Sequence, residues 1–127
     1  MKQPLPPVIK SALADVERIA DDLAATVCHF SGDKINGMNV AACLDNLDQA
    51  AAALTWQELE QAPAMLNAVA RAFRIGFPSD SLGWEDAGRL QTIAYAIEQA
   101  CVEQYMKENP AEVADFYHKR ENPFSSL

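Results

Sequence analysis

"PVIKSALADVERIADDLAATVCHF", residues 7–30, decides the fold. Its apolar side chains recur at Ile9, Leu13, Val16, Ala20, Leu23, Val27 and Phe30, in alternating steps of four and three. That spacing keeps them all on one side of a helix, whereas a strand repeats every two residues. Lys10, Asp15, Arg18 and Asp22 fall opposite. Pro6 and Pro7 suit a first turn, where no backbone N–H is needed, and Gly32 suits the left-handed residue that stops a helix. The pattern predicts a long helix over 7–30, preceded by a short lead-in at 1–6.

The same rhythm continues downstream. "SGDKING" (31–37) has turn composition, and Val40, Leu44, Leu47, Ala51 and Leu54 then repeat the four-three step. Two helices joined by a short polar turn are expected to fold back as an antiparallel hairpin, with the alanines at 50–53 allowing a close neighbour. "TWQE" (55–58) fits a capping box, with Thr55 and Glu58 answering each other's orphan groups. Pro63 opens the next helix, where Met65, Leu66, Val69, Ala70, Ala72 and Phe73 leave only Asn67, Arg71 and Arg74 as a polar stripe. That helix is the expected centre of the domain. Gly76 and Pro78 stop it. The last long helix, about 83–108, carries a stripe of Leu90, Ile93, Ala94, Ile97 and Cys101, and "NPAE" (109–112) signals a short final helix burying Val113, Phe116 and Tyr117. Residues 121–127 read as a tail.

Composition agrees with this pattern. The chain has 127 residues, enough for one domain with one core, and half of them are hydrophobic. Alanine supplies the excess, which favours helices over sheets. The formal charge is −8, from 18 acidic and 10 basic side chains. This balance argues against binding to nucleic acid or to an anionic membrane surface, and suits solubility or a basic protein partner. Residues 1–10 lack a signal-peptide pattern and no window resembles a membrane span. The three cysteines, Cys28, Cys43 and Cys101, are odd in number and far apart, so reduced thiols and a cytoplasmic setting are expected.

The candidate sites are few. Glu17, Asp21 and Asp22 on the first helix and Asp45 and Asp48 on the second are spaced as carboxylates that could hold Mg²⁺. Helical nucleotide pyrophosphohydrolases carry E-E-x-x-E followed by E-x-x-D. "DVERIADD" (15–22) and "DNLD" (45–48) lack the doubled glutamate, and their acids fall opposite the apolar stripes. Cys28 and His29 are adjacent and diverge by about 100° on a helix, so they cannot share a metal; His118 stands alone. No zinc spacing, nucleophile elbow, phosphate loop or dinucleotide fingerprint occurs. No cofactor is implied.

Charge, however, is uneven. Residues 1–62 hold nine acids and four bases, a net −5, while 63–89 balance three against three. Within this neutral region Arg71, Arg74, Phe77, Trp84 and Arg89 combine arginine with large aromatics, the residue types that protein interfaces concentrate at their centres. The plainer reading places Phe77 and Trp84 under a bundle corner.

The expectation is therefore an all-α single domain, an antiparallel bundle of four to five helices beginning with a long hairpin. Its expected role is non-catalytic: a small regulator, inhibitor, immunity-type or chaperone-like protein whose acidic N-terminal hairpin attracts a basic protein surface while Arg71, Arg74, Phe77, Trp84 and Arg89 supply the anchors. Two alternatives stand beside it. One is a Mg²⁺-dependent hydrolase of nucleotides or phosphorylated metabolites; the other is a scaffold subunit. The heptad-like regularity of the first helix also leaves room for a homodimer.

Overall fold

The computed structural model describes residues 5–27, 34–35 and 37–111. It is all-α. The helices are α1 (Pro7–Val27), α2 (Val40–Ala51), the single turn α3 (Trp56–Leu59), α4 (Ala62–Gly76) and α5 (Leu82–Glu108). Between α1 and α2 the chain adds a minimal antiparallel ladder, β1 (Lys34–Ile35) with β2 (Met38–Asn39), in place of a plain turn. Gly37, at φ 92, supplies the left-handed residue of that reversal. Residues 28–30 of the expected first helix, the turn residues 31–33, and Val113, Phe116, Tyr117 and His118 lie outside the described residues.

Local signals explain most of the boundaries. Asn39 Oδ1 accepts from the Ala42 N–H at 3.1 Å and caps α2. Thr55 Oγ1 accepts from the Glu58 N–H as the box motif predicts, but Glu58 reaches one residue further back than expected, accepting from the Leu54 N–H at 2.7 Å. Pro63 sits in the first turn of α4, where its missing N–H leaves no helical bond unmade.

The helices pack in sequence, α1 on α2, α2 on α4 and α4 on α5, and α3 touches α4 and α5. α4 is the centre: Leu66, Val69, Ala70 and Phe73 are all buried, with Met65 and Ala72 half-buried. Removing Phe73 from such an environment costs about 3–5 kcal/mol. Within the described part of the α1 stripe, Ile9, Leu13, Val16, Ala20 and Leu23 are buried against the rest of the chain.

Two stripes differ from expectation. On α1, Ile19 is 1% exposed and joins Val16 and Ala20 in the core. The buried stripe is wider than the four-three pattern because α1 meets α5 as well as α2. On α2 the buried face is Val40, Cys43, Leu47 and Ala50, with Leu44 and Ala51 only half-buried. The helix is turned so that its small residues meet their neighbours. It ends at Ala51, so Leu54, expected in the core, lies in the following turn 81% exposed, and Ala53 is buried instead.

Candidate functional site

The five residues expected to contact a partner divide into a packed group and a looser one. At the corner between α4 and α5, Trp84 Nε1–H donates to the Phe77 carbonyl at 2.7 Å, closing the turn across seven residues. The Phe77 ring meets Phe73 edge-on, centroids 5.3 Å apart. The Arg74 guanidinium lies over the Trp84 ring, 5.6 Å from its centroid, and donates to Gln91 Oε1 at 2.7 Å. Gly83 makes this corner possible, since a Cβ there would run into the Phe77 ring. Phe77 and Trp84 are each half-buried. Arg71 stands exposed on α4. Arg89, on α5, pairs with Asp86 at 3.4 Å.

Beside this corner lies a cleft between α1 and α5, two helices that touch only sparingly. Its first part, about 540 Å³, is lined by Ile19, Leu23, Phe73 and Phe77 on the floor, with Leu82 at its lip and Asp22 and Asp86 among its walls. A second part, about 700 Å³, continues from Ile19 past Arg18, Arg89, Thr92 and Ile93. The helices run in opposite senses along it. Ala25 and Thr26 share one end with Ser81 and Leu82, and Asp15 and Arg18 share the other with Arg89 and Thr92.

The electrostatics follow from this geometry. Burial pushes the Asp86 carboxyl above its ordinary value. Arg89 opposes the rise, Asp22 across the cleft adds to it, Arg18 opposes and Glu85 adds. Of the expected residues, Phe77 and Arg89 line the cleft, Arg74 and Trp84 brace the corner behind it, and Arg71 joins neither.

Sequence reasoning missed Ile19, Leu82 and the pairing of Asp22 with Asp86. Sequence spacing placed Asp22 on the wet side of the first helix, where it is exposed, but only the α1–α5 packing sets it across a cleft from Asp86. Leu82, 76% exposed at the first position of α5, had a detectable signal as an apolar residue directly after the polar run 79–81.

Other chemistry is sparse. Asp21, Asp22, Asp45 and Asp48 are all exposed, and among the described residues no group of three His, Cys, Asp or Glu is placed to hold a metal ion. Burial pushes the Cys43 thiol up, and burial followed by Glu60 and Glu98 does the same to Cys101. A raised thiol is protonated near neutral pH and is a poor nucleophile. Among the described residues no helix is long and apolar enough to cross a membrane. Comparison with known proteins gives no match: no family model, no curated protein and no solved structure is significantly similar to this chain.

Proposed function

We propose that this chain is a non-catalytic protein-binding domain of the cytoplasm, a small regulator that engages a basic surface of another protein. The observation that carries the reading is the α1–α5 cleft. Its apolar floor is continuous with an exposed Leu82 and with the braced aromatic corner, and carboxylates stand in its walls. The net charge of −8 would draw a basic partner and speed encounter, while the cleft and corner supply short-range contacts. Phe77 contributes directly from the cleft lining, Arg89 sets the charge beside Asp86, Arg74 and Trp84 hold the corner's shape, and Arg71 extends the edge along α4.

The test is capture of the partner from the cells that make the protein, using Leu82→Ser as the discriminating variant. Leu82 is exposed, so the substitution should leave stability within about 0.5 kcal/mol. The reading expects a basic protein recovered with the native chain, weakened by added salt and reduced at least about tenfold by Leu82→Ser. Recovery unaffected by both salt and Leu82→Ser contradicts it. Trp84→Ala is unsuitable here, because losing the Phe77 bond and the Arg74 stack destabilises the corner itself.

A further inference from the structure

We infer that the cleft between α1 and α5 seats one arginine side chain of the protein partner, its stem against Ile19, Leu23 and Phe77 and its guanidinium between Asp22 and Asp86. The inference rests on the protein-binding reading and names the chemistry of its anchor. The floor residues Ile19, Leu23, Phe73 and Phe77 are apolar, which suits a methylene stem that must leave water. The cleft's first part, about 540 Å³, falls in the range of small-molecule sites and holds a single long side chain with room to spare.

Charge selects the occupant. Asp22 and Asp86 are the ionisable groups lining this part of the cleft, so among the described residues its lining carries acid and no base. A neutral apolar side chain would lie beside Asp22 and Asp86 without answering the charge of the cleft, and an acidic one would be repelled. A guanidinium, planar and weakly hydrated with five donors, can bridge two carboxylates from opposite walls. Arg89 already contacts Asp86 Oδ1 from the neighbouring part of the cleft, yet its side chain is 58% exposed and the contact is a long 3.4 Å. That bond is loose enough for a second cation to share or displace it.

The site can be tested on the full chain with acetyl-arginine methylamide, using acetyl-norleucine methylamide as the neutral control. The expected result is saturable NMR shifts of the Ile19, Leu23 and Leu82 methyls with the arginine probe, and at least tenfold weaker shifts with norleucine. Asp22→Asn with Asp86→Asn should weaken the arginine response at least tenfold, whereas Asp45→Asn with Asp48→Asn, of equal charge change on exposed α2 positions, should not. Arg89→Ala should strengthen it. Equal loss in both aspartate pairs would reduce the effect to net charge and overturn the inference. So would no shift at the cleft methyls. A captured partner sensitive to Leu82→Ser but indifferent to the Asp22/Asp86 pair overturns the arginine seat and leaves the binding reading standing. The reverse combination supports the seat and removes Leu82 from the contact.

Discussion

The two flanks of α5 show how one helix can serve both core and surface. Towards α4 it presents Ala87, Leu90, Ala94 and Ile97, each at 1% exposure or less, and the two helices form the most extensive seam of the molecule. Towards α1 it presents Asp86, Arg89, Thr92 and Ile93, and the helices stand apart around a cleft. The small residues Ala87 and Ala94 allow close approach on the first flank. On the second, charged groups that must stay hydrated hold the helices apart. Closure there would have buried Asp86 further, at a rising desolvation penalty.

Substitutions can break this contrast in order of effect. Leu90→Ala, in the seam, is expected to cost about 2–5 kcal/mol, read from denaturant unfolding. A loss below about 1 kcal/mol would mean the seam is not packed as described. Gly83→Ala comes next. The added methyl gains helix propensity but displaces the Phe77 ring from Phe73, for a net loss of about 1–3 kcal/mol. An unchanged or raised melting temperature would show that the ring moves freely.

The smallest effect is the most specific to the cleft. Because folding raises the Asp86 pKa, the native state holds that proton more tightly than the unfolded chain does. Its contribution to stability is complete below the unfolded value and is lost as pH rises through the folded one. Asp86→Asn removes this loss, so its melting temperature should gain on the native chain between about pH 3 and pH 7. The gain is partly offset by the lost Arg89 contact. A difference that stays constant across that pH range would contradict the raised value.

How much of this was legible before folding varies by element. The α4 stripe was read correctly because that helix is covered on most of its surface, and no choice of face was required. On α1, Ile19 sits one position before Ala20, outside the four-three series, and the narrow stripe assumed one packing partner where there are two. On α2 the larger Leu44 and Leu54 drew the assignment, whereas close packing selected Cys43, Ala50 and Ala53. At the candidate site, arginine and aromatic content pointed to the corner between α4 and α5. It could not show that Arg74 and Trp84 brace each other, nor that Asp22 and Asp86 line one cleft, because 64 positions separate that pair in the sequence. Periodicity reports which way a helix faces the core; it carries no information on which helices leave a gap.

Solvent access by paramagnetic relaxation compares the two flanks most directly. A soluble cationic nitroxide should strongly broaden the methyl signals of Ala25 and Leu82 along the first part of the cleft, more than an anionic one does, while Leu90 and Ala94 in the seam stay sharp. If the cleft methyls are as protected as those of Leu90 and Ala94, or respond equally to both probe charges, there is no open acidic cleft between α1 and α5, and the binding role assigned to it fails.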